Sequence, residues 1–262
     1  MSFEDEGFLS RELDALREHI LSNHAKHFDP AKRVNLFCQR AQARLKVYNR
    51  DPQQLMATCL MLKIFEDVQG ALILLESGLA SQSRSLLRAA TETLIILAKV
   101  ATSEEFFKAY VLTGERECLK LLEAIKSDRL YGNEEIQKDI TPELIEQIKK
   151  SFDGTENKDL EQWAKSVNLD VMYDLVYRLF SQDVHTHPRR LEKYLIIRED
   201  GEVGQIEWGP DLEKDFSTEI VEAATILLLA MDTISHLFEL HTKKEITHFW
   251  EEIQNIVQEE DK

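Results

Sequence analysis

The sequence predicts an all-α protein, a multi-helix bundle carrying one small β-hairpin near residues 194–208. Only 9 Gly and 5 Pro occur in 262 residues, too few for the turns an all-β fold needs. Leu, Ala, Glu, Lys and Ile recur instead at helical spacing, and all but Ile are strong helix formers. The third observation is a change of pattern after Tyr194. Tyr-Leu-Ile-Ile-Arg, then Glu-Asp-Gly-Glu, then Val-Gly-Gln-Ile-Glu-Trp ending at Trp208 reads as two β-prone runs around a glycine turn.

The first helix runs from about Phe8 to His24, with Leu13, Leu16, Ile20 and Leu21 marking one side of it. Asp29-Pro30 predicts a break and restart, and Asp51-Pro52 repeats that punctuation after a helix reaching Tyr48. A long helix from Gln53 to Glu76 should end at Gly78, where glycine takes the left-handed conformation without cost. Ser81–Val100 is the next helix, and Ser103 with Glu104 and Glu105 predicts the N-cap and acidic first turn of another helix reaching Lys126. Asn133–Lys158 is charged and poor in large apolar residues; it contains a helix start at Thr141-Pro142 and a turn at Asp153-Gly154. An apolar helix resumes at Leu169 and must stop before Pro188. A long helix over 211–240 and a shorter acidic one complete the chain. Without a repeat or a linker, the expectation is a single helical domain over 1–262: N-terminal helices in 8–50, a core bundle over 53–240 and an acidic C-terminal helix over 243–260.

A net charge of −16 and a hydrophobic fraction of 43% describe a globular chain that repels phosphates at long range, so any nucleic-acid chemistry requires a local basic patch. Cys38, Cys59 and Cys118 are odd in number and widely spaced; they predict neither disulfides nor a thiolate metal site, but reduced, buried thiols. The acidic start and the lack of 18 uninterrupted apolar residues lead to the expectation of a cytoplasmic protein with no membrane partner. No glycine-rich phosphate loop, nucleophile elbow or dinucleotide fingerprint is present, which argues against nucleotide-dependent enzymes. His185-x-His187 is capable of binding a metal but stands beside Pro188 with no cysteine near it in sequence, so no metal or cofactor is expected.

Two helices carry polar residues that their apolar surroundings do not explain. On 81–100 the 100° turn per residue aligns Ser81, Arg84, Ser85, Arg88, Glu92 and Lys99 in a stripe, against an apolar arc that contains Leu87, Ala90, Leu94 and Leu97. On 169–187, Tyr177, Ser181 and His185 are spaced by four along one edge, and Arg178 returns nearly into line with His185 after seven residues. Beyond them His187, Arg189, Arg190 and Lys193 form a local basic cluster, the best candidate in an acidic chain for a phosphate-facing surface. The simplest explanations remain a surface pair for Arg88 and Glu92, a C-terminal histidine helped by the helix dipole and hydroxyls satisfied in the core.

Arg88-x-x-x-Glu92, Tyr177-x-x-x-Ser181-x-x-x-His185 and the hairpin ending at Gly209-Pro210 together resemble the bacterial domain-of-unknown-function family 5677, from about Leu60 to Leu240. Arg178 and His185, with six residues between them, resemble more distantly the signature of the HEPN superfamily of helical bundles. Its ribonucleases are thought to cleave RNA without metal, often across a homodimer. In this sequence Leu179 stands where that superfamily commonly has a polar residue. If the chemistry is RNA cleavage, His185 would be the general base, Arg88 or Arg178 would stabilise charge on the phosphate and Glu92 would orient them, with Tyr177, Ser181, Arg84, His187, Arg189 and Arg190 contacting substrate. RNA, a second copy of the chain or a partner protein would be the partners. The other expectation is a non-catalytic interaction module in which the same residues form a buried network fixing helix register.

Overall fold

The structure, a computed structural model, describes residues 2–47, 51–127, 140–151, 159–185, 188–210 and 215–260. Its fold is all-helical with one small antiparallel hairpin, as the composition predicts. The chain parts into two compact units, one made of Met1–Ala98 with Leu160–Lys262 and the other of Lys99–Asp159.

The larger unit begins with a short helix α1 (Phe3–Glu6), a 3-10 turn (Gly7–Leu9), α2 (Leu13–Asn23) and α3 (Ala25–Gln42). The predicted break at Asp29-Pro30 lies at His24 instead, and Pro30 sits inside α3. Pro30 is the sixth residue of α3, so it lacks a backbone N–H to donate to the helix ladder there. Asp51 accepts the Gln54 N–H at 2.9 Å and Pro52 takes the first position of α4 (Pro52–Glu76), the arrangement that the sequence predicts. At its end Gly78 adopts φ +72°, and the Leu79 N–H reaches back to the Leu74 carbonyl at 2.9 Å, which closes the helix end as a Schellman motif does. α5 (Ala80–Thr102) comes next.

In the smaller unit, Ser103 caps α6 (Glu104–Lys126) by accepting the Phe106 N–H at 3.0 Å. A second helix, α7 (Pro142–Ser151), pairs Lys149 with Glu123 of α6 at 2.9 Å. The expected turn at Asp153-Gly154 lies outside the described residues.

The larger unit resumes with α8 (Leu160–Ser166), which the periodicity missed, and α9 (Asp170–Met172). A π-helical segment over Tyr173–Arg178 leads into α10 (Leu179–Val184). Pro188 opens a further short helix, α11 (Pro188–Leu191). β1 (Leu195–Ile197) and β2 (Val203–Ile206) form the predicted hairpin, with Leu195 opposite Ile206 and a bulge between Ile196 and Ile197. Gly201 supplies φ +84° in its turn.

α12 (Ser217–Leu237) is the core of this unit, and α13 (Lys243–Glu260) ends the described chain. α12 is long and apolar enough to cross a membrane by length and composition; here it packs against α3, α4 and α13. Ile220, Ala223, Ile226, Leu227 and Ile234 are fully enclosed, as are Val34, Ile64, Val68 and Leu87 of the helices before it. Cys38 is likewise buried, its thiol against the Leu227 carbonyl at 3.7 Å. The expectation of three buried thiols holds for Cys38 alone, because Cys59 and Cys118 are exposed on the outer faces of α4 and α6.

Candidate functional site

Three residues of the α5 polar stripe, Ser81, Arg84 and Arg88, meet the segment from Tyr177 to Lys193, which runs past them in the opposite direction. Arg88 donates from Nε to Ser181 Oγ and from Nη2 to the Tyr177 hydroxyl, both at 2.9 Å. One turn nearer the start of α5, Arg84 approaches Asp183 at 3.9 Å. At the first turn, Ser81 Oγ accepts from Lys193 Nζ at 2.8 Å.

The two arginines are held in electrostatically different ways. Arg84 is neutralised: it donates through Nε to Glu219 of α12 at 2.7 Å and through Nη2 to the same oxygen, with Asp183 beside it. Both carboxylates are almost completely enclosed, at 3% and 1% side-chain exposure, and the guanidinium lies 5.7 Å from the Phe180 ring. Buried charges of opposite sign require one another, so this triad fixes α5 against α10 and α12. Neither Asp183 nor Glu219 stood out in the sequence. Their signal was an acidic side chain inside an otherwise apolar helical run.

Arg88 instead rests on neutral acceptors. Ser181 directs its own hydroxyl proton to the Tyr177 carbonyl at 2.5 Å, which leaves Oγ lone pairs for the Arg88 Nε–H. The Tyr177 ring lies under the guanidinium at 4.4 Å and stacks on Tyr173 at 5.1 Å, a cation–π arrangement. The carboxylate paired with it, Glu92, stands 3.9 Å away and is 40% exposed. Arg88 thus keeps its charge and spare N–H donors, oriented by two hydroxyl contacts and a ring.

Tyr177 and Ser181 lie one turn apart on one edge and so reach the same guanidinium, and Tyr177 sits within a π-helical stretch over Tyr173–Arg178. The wider turn rotates the residues downstream of it, and such bulges recur where side chains are aimed for function. Arg178 is exposed and donates to Asp174 at 3.0 Å; this bond, more than any other influence, raises its pKa above the ordinary arginine value. The Arg88 network does not include it.

His185 closes α10 one turn beyond Ser181, its backbone N–H bonded to the Ser181 carbonyl at 3.1 Å. The imidazole is exposed and makes no hydrogen bond or ion pair among the described residues. Arg189 is exposed on α11. His187 and the side chain of Arg190 lie outside what the structure describes. Among the described residues no cluster of His, Cys, Asp and Glu is arranged to hold a metal ion.

The fold and this seam define a class: an all-helical protein in which an arginine-bearing helix is fastened to a π-bulged helix ending at a histidine. The chain belongs to the family of unknown function DUF5677, whose model matches residues 54–203. The match contains both seam helices and ends at the start of β2, so it begins a little earlier and stops well short of the span suggested by sequence pattern. α12, the source of Glu219, lies beyond it. No curated protein and no solved structure matches the chain.

Proposed function

We propose that this protein is a metal-independent ribonuclease of HEPN-like character, working in the cytoplasm of a bacterium as a defence or toxin-type protein. The observation that carries this reading is the state of Arg88, a half-buried guanidinium positioned by Tyr177 and Ser181 and not consumed by a hydrogen-bonded carboxylate. A phosphodiester is the natural complement to such a group, because its oxygens accept paired, charge-assisted hydrogen bonds.

His185 is the general base. Its exposed imidazole takes the proton from a ribose 2′-hydroxyl, the 2′-oxygen attacks phosphorus and the P–O5′ bond breaks. The products are a 2′,3′-cyclic phosphate and a 5′-hydroxyl that is protonated from water. Arg88 stabilises the charge gathering on the non-bridging oxygens, and Glu92 keeps the guanidinium in register. Lys193 and Arg189 extend the positive surface along which an RNA strand approaches.

The test is RNA cleavage by wild type, His185→Ala and Arg88→Ala, together with growth on expression. Wild type cleaves and arrests growth, and His185→Ala loses at least about 100-fold in rate with its melting temperature unchanged. The second reading, a non-catalytic module, draws on the fact that the best bonds of Arg88 are internal to the chain. Wild type free of nuclease activity, with Arg88→Ala strongly destabilised, establishes that reading instead.

A further inference from the structure

Away from the seam, the larger unit has a groove between α3 and α13 of about 550 Å³, within the usual range of roughly 300–1,000 Å³ for small-molecule sites. Its floor is apolar. Leu36, Phe37 and Phe249 line it, the two phenyl rings tilted together at 5.4 Å and each only partly covered. Its rim is cationic, which is unusual in a chain of net charge −16.

Arg33, Arg40 and Arg44 succeed one another along the α3 edge and its continuing turn. Arg33 is paired with Glu252 of α13. Arg40 and Arg44 are exposed, and among the described residues neither hydrogen-bonds or pairs with a carboxylate. The acidic member of the lining is Glu245, with His248 beside it at the start of α13. Two guanidiniums four residues apart, one at the end of α3 and one in the turn that follows it, suit the oxygens of a phosphate, which each can fork. The adjacent aromatic floor suits a flat ring rather than an extended chain.

We infer that the α3–α13 groove binds a nucleoside phosphate, with the phosphate held by Arg40 and Arg44 and the base lying over Phe37 and Phe249. The same chemistry is presented by a free nucleotide and by one unit of single-stranded RNA. The site does not depend on the ribonuclease reading, since none of its residues belongs to the seam.

Calorimetric titration of the full chain with AMP, ATP, a short single-stranded RNA, inorganic phosphate and an acidic peptide tests it. The expected result is saturable binding of AMP or ATP, or of the RNA, at least tenfold tighter than phosphate or peptide. Preference for mononucleotides identifies a free nucleotide as ligand, and preference for RNA identifies a strand. Arg40→Glu/Arg44→Glu removes binding at least tenfold with an unchanged melting temperature, and Phe249→Leu weakens nucleotide more than phosphate. His185→Ala binds AMP and ATP as wild type does, which separates this site from the proposed ribonuclease. No saturable binding, equal binding by the double variant, or phosphate or peptide bound as tightly as nucleotide overturns the inference.

Discussion

Arg84 and Arg88 are one helical turn apart on α5 and look equivalent in sequence, yet they meet opposite surroundings. Arg84 compensates two enclosed carboxylates, so Arg84→Met strands the enclosed Glu219 without the cation that bonds it. The expected cost is about 3–5 kcal/mol in urea unfolding. Arg88→Met removes a cation from neutral acceptors on a half-open edge, and the expected loss is about 1–2 kcal/mol. Equal losses at the two positions would dissolve the distinction on which the functional reading of Arg88 rests. Sequence placed both on one stripe and expected Arg84 to contact substrate. It could not reveal that Glu219, 135 residues away, reaches one arginine and not the other.

At the scale of elements, α4 and α12 form the interior and their outer faces remain open, which makes cysteine chemistry a direct probe of packing. Burial pushes the Cys38 thiol up to about 12, so almost none of it is the reactive thiolate, whereas Cys59 and Cys118 are exposed. A maleimide should modify two thiols per native chain, at Cys59 and Cys118, and reach Cys38 only in denaturant; mass spectrometry of the adduct checks this. The N-terminal elements have a different anchor. Trp208, beyond the hairpin, packs on Phe3 and Phe8 with ring centroids at 5.4 and 5.8 Å. Gly7 turns at φ +57°, where a Cβ would meet the indole at 2.8 Å. Gly7→Ala should therefore release this aromatic cluster at a cost of about 1–2 kcal/mol, read as a change in Trp fluorescence and a lowered unfolding midpoint.

For the larger unit as a cooperative body, Glu222 on α12 sets a pH dependence. Its carboxyl is mostly buried, one oxygen has no hydrogen-bond partner among the described residues, and desolvation raises its pKa to about 7. The unfolded value is 4.5, so the native state prefers the neutral acid. Its contribution is complete below pH 4.5 and is lost as pH rises through 7. Relative to Glu222→Gln, wild type should lose on the order of 3 kcal/mol between pH 4.5 and 8. Urea midpoints of both proteins across that range provide the measurement, and parallel pH profiles would contradict the burial of this acid.

The helical class, the hairpin and most helix ends are legible in the sequence, because periodicity, caps and glycine or proline punctuation act within a few residues. Asp51-Pro52, Gly78 and Ser103 each do locally what their chemistry requires. Sequence also isolated Arg88, Glu92, Tyr177, Ser181 and His185 as polar residues that apolar helices do not explain. Where a local cue competed with packing, the cue failed: Pro30 lies inside α3, and two cysteines in apolar runs face outward. Packing decided which arginine is neutralised and that Tyr177 and Ser181 both meet Arg88, 89 and 93 residues away along the chain. Those outcomes depend on the burial of charge and on the register between distant segments. Neither is fixed until the helices are packed.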